Sequence, residues 1–178
     1  GDRVVIVGAG PIGLMFISAL RNRYGHTIRL LSLDHHDDRL VLARSFGADE
    51  ALNTAGGSLM AGVREVFGGA EKADVVIEAV GSRQAHQEAF ELVGRGGTLV
   101  PFGGVAEGAL LSLDLHRLHY EEIRIVPIYH HTPGDFASAV NAIVRHEVPM
   151  ARLITARLPL MELPRALEMV QKRTTLRT

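Results

Sequence analysis

The residues best placed to do chemistry are three glycines near the start of the chain. Gly8, Gly10 and Gly13 follow directly on the apolar run at residues 4–7, and their spacing is G-x-G-x-x-G. Gly8 would permit a tight turn after a strand, Gly10 would let the backbone approach a pyrophosphate, and Gly13 would let a helix pack close to that strand. The N-terminus of that helix would present N–H groups and a positive dipole end to phosphates. The spacing therefore predicts a dinucleotide-binding turn.

An acidic residue at the matching distance supports the same prediction. Asp34 ends a second strand-like run, about 20 residues beyond the glycines, where a carboxylate binds the adenosine ribose 2′-hydroxyl and repels a 2′-phosphate. It favours NAD as the cofactor over NADP. The alternative is that the glycines form only a structural turn and that Asp34 only caps the next helix.

Composition excludes several classes of function. The 178 residues carry a net charge of −1 with a pI near 6.8, so no electrostatic footprint for nucleic acid is present. No apolar run reaches the roughly 20 residues of a membrane helix, and no secretory leader is recognisable. Cysteine is absent, which fits a cytoplasmic protein. The chain begins with Gly1 rather than methionine, and we expect it to be cut from a longer protein.

Strand and helix patterns alternate along the first 130 residues. The predicted strands are 4–7, 28–33, 50–53, 73–80, 98–102 and 123–129, and the predicted helices are 11–21, 37–46, 58–67 and 84–93. This order predicts an α/β Rossmann fold, a doubly wound parallel six-stranded sheet with helices on both faces. Pro127 cannot donate to a ladder, so the sixth strand should lie at an edge or bulge there.

The pattern changes after residue 130. A helix at 133–144, a short strand at 153–158 and a helix at 164–171 do not continue the sheet. We expect a dinucleotide-binding domain at 1–130 and a C-terminal extension at 131–178 that packs on another domain.

Several motifs in order resemble one known family. The sequence GAGPIGL begins at Gly8. Arg39-Leu40 is followed by Ala43 and then by FGAD at residues 46–49. DVVIEAVG begins at Asp74, and GGTLV begins at Gly96. With them, nearly the whole chain resembles the cofactor-binding half of the medium-chain, zinc-dependent alcohol dehydrogenases, especially the polyol and sorbitol dehydrogenase branch.

The resemblance implies roles for particular residues in binding a nicotinamide dinucleotide. The three glycines would face the pyrophosphate, and Asp34 and Arg39 the adenosine ribose. Pro11 and Ile12 would lie against the nicotinamide side of the cofactor. A wall at the carboxyl ends of strands four and five would be formed by four residues: Val80, Gly81, Phe102 and Gly103.

The resemblance also implies what lies outside this chain. The catalytic zinc ligands and proton relay of the family lie largely in a preceding domain, so we expect this chain to bind cofactor without turnover, to lack a catalytic residue and to bind no zinc itself. Strand six could pair across a homo-oligomer. Two alternatives stay open: an NADP-dependent quinone or enoyl reductase relative without zinc, against which Asp34 argues, and a non-enzymatic nucleotide-sensing domain.

Two further features invite a functional interpretation. The adjacent pairs His35-His36 and His130-His131, and the helix-spaced His116 and His119, suggest a metal site. Adjacent residues of a strand point to opposite faces and no partner ligand is evident, so we expect none. Glu78 lies in an apolar strand, either as a perturbed acid or as a hydrogen-bonded group at the strand end; we favour the second.

Overall fold

A six-stranded parallel sheet organises the first part of the molecule. The computed structural model describes residues 1–56, 59–69 and 72–172. The strands lie in the order β3-β2-β1-β4-β5-β6, which is the doubly wound Rossmann order. Every paired register in the sheet is parallel, and the predicted fold class is confirmed. The strands are β1 Arg3–Val7, β2 Arg29–Asp34, β3 Glu50–Asn53, β4 Ala73–Glu78, β5 Val93–Pro101 and β6 Arg124–Ile125.

Five helices lie between the strands along the chain, and two more follow the last strand. The first five are α1 Pro11–Tyr24, α2 Asp37–Phe46, α3 Leu59–Val66, α4 Arg83–Leu92 and α5 Leu115–Tyr120, and the last two are α6 Pro133–Val144 and α7 Leu163–Gln171. The predicted start of the third helix at Ser58 lies outside the described residues. The short α5 was not predicted; Asp114 caps it by accepting hydrogen bonds from the backbone N–H groups of His116 and Arg117.

The central strands are buried on both faces. Val5 and Ile6 of β1 and Val76 of β4 have no exposed surface, and neither do Leu14 of α1 and Phe90 of α4. This explains why β1 and β4 have nearly continuous apolar sequences instead of alternating ones. The core fixes where each central strand ends, and thereby where the loops of the candidate site begin.

The fifth strand begins earlier than the sequence suggested. Residues 94–97 were expected to end the preceding helix, but they lie within β5, which starts at Val93. The pairing of β4 with β5 shifts register between Ala73 and Val75, and Gly96 has a φ of 68°. A strand interrupted by a bulge accepts glycines that would otherwise indicate a turn.

The sixth strand is at the edge of the sheet, as Pro127 predicted, but it is much shorter than expected. Only Arg124 and Ile125 pair with β5. The backbone N–H of Val126 still donates to the carbonyl of Leu99 at 2.9 Å. Pro127 follows without an N–H, so the ladder cannot continue through it.

The chain divides into two compact units, Gly1–His130 and His131–Thr178. In the second unit, α6 has the predicted bounds and begins with a capping box between Thr132 and Asp135. The strand expected at 153–158 is wrong: Leu153 ends a 3₁₀ turn, and residues 154–159 have no secondary structure. An alternating apolar and polar sequence does not form a strand unless another strand pairs with it. None of the helices in the described residues is long and apolar enough to cross a membrane.

Candidate functional site

The glycine turn joins the end of β1 to α1 at the centre of the sheet. Gly8 has a φ of 101°, and its N–H donates to the carbonyl of Leu33 on β2 at 2.8 Å. A Cβ atom at this position would lie 2.8 Å from Cγ2 of Val80. Both the backbone conformation and the close approach require glycine here.

The other two glycines serve different purposes. A Cβ on Gly13 would collide with the carbonyl of Gly8, whereas a Cβ on Gly10 would meet no atom within 4 Å. Gly10 is the N-cap of α1, Pro11 follows as its first residue, and no side chain caps the helix. The first turn of α1 therefore offers its N–H groups beside open space, which is the arrangement that binds phosphates.

The carboxylate of Asp34 is bonded directly to this turn. Its Oδ2 accepts a hydrogen bond from the backbone N–H of Ala9 at 2.8 Å. Its Oδ1 lies 3.0 Å from the backbone nitrogen of His36 and 2.9 Å from Nδ1 of the same residue. The side chain of Asp34 is only 8% exposed. We call Gly8, Gly10, Gly13 and Asp34 the glycine corner.

The charge state of Asp34 follows from these contacts. Burial by itself would raise the pKa of this carboxyl, but the hydrogen bonds from Ala9 and His36 and the charge of Arg39 outweigh it, so the pKa lies below its ordinary value. The guanidinium of Arg39 is 4.0 Å from Oδ2. Asp34 thus stays an anion that can accept a further hydrogen bond.

The two adjacent histidines after Asp34 differ in their contacts. His35 is exposed. The sequence had drawn attention to His36 only as one of a histidine pair, yet its ring bonds the carboxylate of Asp34. Its position two residues after an aspartate, where a side chain folds back on the acid, was the available indication.

Four further predicted residues meet at the ends of β4 and β5. Val80 and Gly81 each donate a backbone hydrogen bond to Oε1 of Glu78 at 2.8 Å. Phe102 and Gly103 each donate to the main-chain carbonyl of Glu78 at 3.0 Å. We call Val80, Gly81, Phe102 and Gly103 the strand-end wall. Its shape depends on one buried residue that the sequence did not link to it.

The start of α1 lies near this wall. Pro11 and Ile12 form the half-buried first turn of the helix. One turn on, the ring of Phe16 meets that of Phe102 edge to face, with centroids 5.0 Å apart. The structure thus brings together, at the carboxyl ends of four adjacent strands, the residues that the sequence had selected.

The residues present do not fit a zinc site. The sequence has no cysteine, and within residues 1–56, 59–69 and 72–172 no three histidine, aspartate or glutamate side chains are grouped so as to hold a metal. The rings of His116 and His119 instead pack on the ring of Tyr120. Their centroids lie 4.6 Å and 4.7 Å, respectively, from the centroid of the tyrosine ring. No step through a metal follows from this chain.

The fold and the glycine corner define a Rossmann-type α/β domain with the features of the dinucleotide-binding class. The family model described as zinc-binding dehydrogenase matches residues 11–145. The chain therefore belongs to the zinc-binding dehydrogenase family, and the resemblance drawn from its motifs is confirmed.

Characterised relatives include polyol dehydrogenases. Sorbitol dehydrogenase 1 of Saccharomyces cerevisiae is 30% identical over 161 residues, which cover 87% of this chain and 44% of that protein. Erythritol/L-threitol dehydrogenase of Mycolicibacterium smegmatis is 30% identical over 169 residues, which cover 95% of this chain and 45% of that protein. The crystal structure of an alcohol dehydrogenase from Thermotoga maritima superposes with a TM-score of 0.88 at 29% identity, covering 99% of this chain and 48% of that one. The chain spans about half the length of the relatives that it matches.

Proposed function

We propose that this chain is the nicotinamide-dinucleotide-binding part of a zinc-dependent alcohol or polyol dehydrogenase. The parent enzyme would transfer a hydride between a secondary alcohol and the cofactor. The observation that carries the proposal is the 2.8 Å hydrogen bond from Ala9 to Asp34, because it joins the phosphate-binding turn to the ribose-binding acid in one rigid corner. The names of the polyol dehydrogenase relatives support the substrate class.

The glycine corner would hold the adenosine half of the cofactor. Gly10 leaves room for the pyrophosphate, and the free first turn of α1 supplies donors and a favourable dipole. A ribose hydroxyl would donate to Oδ1 of Asp34. The ring of His36 now bonds that oxygen, and because this side chain is 46% exposed it can move aside or share the acceptor.

We propose NAD as the preferred cofactor. The buried anionic carboxylate of Asp34 would repel a 2′-phosphate, and it is fixed against the turn by the Ala9 bond. Arg39 acts in the opposite direction, because its guanidinium at 4.0 Å could pair with a phosphate. Asp34 lies closer to the turn that orients the ribose, so its charge should dominate.

The strand-end wall and the first turn of α1 would enclose the nicotinamide end. The wall lies at the carboxyl ends of β4 and β5, where open α/β sheets bind ligands. A bound cofactor supplies the hydride chemistry, while these residues orient it and exclude water.

Turnover would need residues that this chain does not contain. Its described residues do not fit a metal, and it covers less than half of the polyol dehydrogenases that it resembles. We propose that a catalytic domain of the parent supplies the zinc and the proton relay. The free edge of β6 is where a second copy would add to the sheet.

Calorimetric titration of the chain with NADH and with NADPH, at one salt concentration, tests the proposal. We expect tighter binding of NADH and no oxidation of sorbitol in the presence of NAD. If neither cofactor bound, the proposed cofactor-binding role would be contradicted. Tighter binding of NADPH would contradict the proposed role of Asp34. Oxidation of sorbitol by this chain alone would contradict the proposal that a separate catalytic domain is needed.

A further inference from the structure

Glu78 anchors both chain segments that leave the sheet at the strand-end wall. Its side chain has no exposed surface, and Oε1 accepts both backbone hydrogen bonds from Val80 and Gly81. Its carbonyl oxygen accepts those from Phe102 and Gly103. Each residue of the wall is therefore positioned by a bond to this one residue.

The second carboxylate oxygen of Glu78 faces a histidine. Oε2 accepts no hydrogen bond of good geometry, but Nε2 of His86 lies 3.2 Å away. The side chain of His86 is only 11% exposed. Among the described residues, His86 is the titratable side chain within ion-pair distance of this carboxylate.

The other nitrogen of the His86 ring holds the ring in place. Nδ1 lies 2.8 Å from the carbonyl oxygen of Ser82, which can only accept a hydrogen bond. Since Ser82 is the N-cap residue of α4, the ring lies between the start of this helix and the carboxylate of Glu78.

His86 also contacts the chain beyond the wall. It shares a small apolar pocket with Arg83, Val105 and Leu110, and Arg83 donates to the carbonyl of Leu110 at 3.0 Å. The carboxylate of Glu78 is thus held on one side by the two wall amides at Oε1 and faces His86 at Oε2.

We propose that Glu78, packed against His86, is the positioning residue that sets the strand-end wall for the nicotinamide end of the cofactor. The inference rests on the proposed function. A loss of Glu78 should weaken contacts to the nicotinamide ring and spare those made by the glycine corner.

The first test uses the unaltered 178-residue chain and two ligands, NADH and ADP-ribose, which lacks nicotinamide. Backbone amide spectra should show the N–H signals of Val80, Gly81 and Gly103 shifting with NADH and staying in place with ADP-ribose. Shifts of equal size with both ligands would overturn the assignment of this wall to the nicotinamide end. Failure of the chain to bind either ligand would overturn the proposed function itself.

Two substitutions then test the positioning role. Glu78→Ala removes the acceptor of two wall amides and should weaken NADH binding at least about tenfold while changing ADP-ribose binding less than about threefold. Glu78→Gln keeps an acceptor oxygen and should restore most of the NADH affinity. Glu88→Gln is the matched control, because Glu88 is a half-buried residue of α4 whose carboxylate accepts a hydrogen bond from Gln84. Equal losses for both ligands would mean a general weakening of the fold and would overturn the positioning role.

Discussion

Two carboxylates hold the two halves of the candidate site, and they differ in how they can be used. Asp34 is the last residue of β2, and Glu78 is the last residue of β4. Each accepts backbone hydrogen bonds from a glycine-containing turn. Asp34 lies at the rim, and one of its partners is the half-exposed ring of His36. Glu78 is fully buried, and its partner His86 is nearly so.

The difference teaches what each acid can do. A carboxylate at the rim can exchange a mobile side chain for a ligand hydroxyl, so its effect should appear in affinity and specificity. A buried carboxylate cannot reach a ligand, so its effect should appear in the stability and shape of the backbone around it. The predictions below test this division.

The largest effect should come from removing the buried acid. Glu78→Ala leaves two backbone N–H groups and the ring of His86 without their partner, which should cost about 2–5 kcal/mol of unfolding free energy. Urea denaturation measures it. Asp34→Ala, made alongside, should cost less, because the half-exposed His36 can bond to water instead and the N–H of Ala9 is the one fully buried donor that loses its acceptor. Equal losses of unfolding free energy in the two variants would contradict the distinction between the buried carboxylate and the one at the rim.

A glycine of the wall should come next. A Cβ on Gly103 would lie 2.6 Å from Oε2 of Glu78 and against the backbone nitrogen of Gly81, so Gly103→Ala should destabilise the fold by about 1–3 kcal/mol. Gly104 offers a matched control, because a Cβ there meets no atom within 4 Å. Thermal unfolding of both variants checks this, and a cost for Gly104→Ala as large as that for Gly103→Ala would contradict it.

A glycine of the glycine corner should behave in the opposite way. Gly10→Ala places its methyl group in open space, so the unfolding free energy should fall by less than about 1 kcal/mol. NADH affinity should nevertheless fall at least about tenfold, because the methyl group would occupy the space proposed for the pyrophosphate. Calorimetry and urea denaturation separate the two effects. Unchanged NADH binding would show that the phosphates lie elsewhere.

The smallest effect is the expected loss of stability when the pH is lowered. The pKa of Asp34 is lowered in the folded chain because its hydrogen bonds outweigh the effect of burial. Its contribution to stability is complete above the unfolded-state value of about 4 and is lost as the pH falls through the lower folded value. Asp34→Asn should therefore lose less stability than the unaltered chain between neutral pH and about pH 3. A stability difference that stays constant over this range would contradict it.

Local sequence features predicted much of the fold. Helix α2 ends at Gly47 in the left-handed conformation, and α6 begins with the capping box of Thr132; in each case a few neighbouring residues determine the boundary. The bulge that carries Gly96 into β5 depends on pairing with β4, and the missing strand at 153–158 depends on the absence of a partner. Alternation and glycine content do not report such long-range pairing.

The same distinction applies to the candidate site. The glycine corner could be predicted because its glycines and Asp34 have a characteristic spacing. The importance of Glu78 could not, because it arises from bonds to residues on two different loops and from the packing of His86 against it. A single glutamate in an apolar strand shows only that a partner must exist.

The most direct test of the central claim is the ratio of NADH to NADPH affinity in the unaltered chain and in Asp34→Ala, measured by calorimetry at one salt concentration. We predict that the unaltered chain prefers NADH and that the variant loses most of this preference, mainly by binding NADPH more tightly, since the guanidinium of Arg39, 4.0 Å from Asp34 in the unaltered chain, would remain to pair with a 2′-phosphate. An unchanged ratio would show that Asp34 does not contact the ribose and would contradict the account.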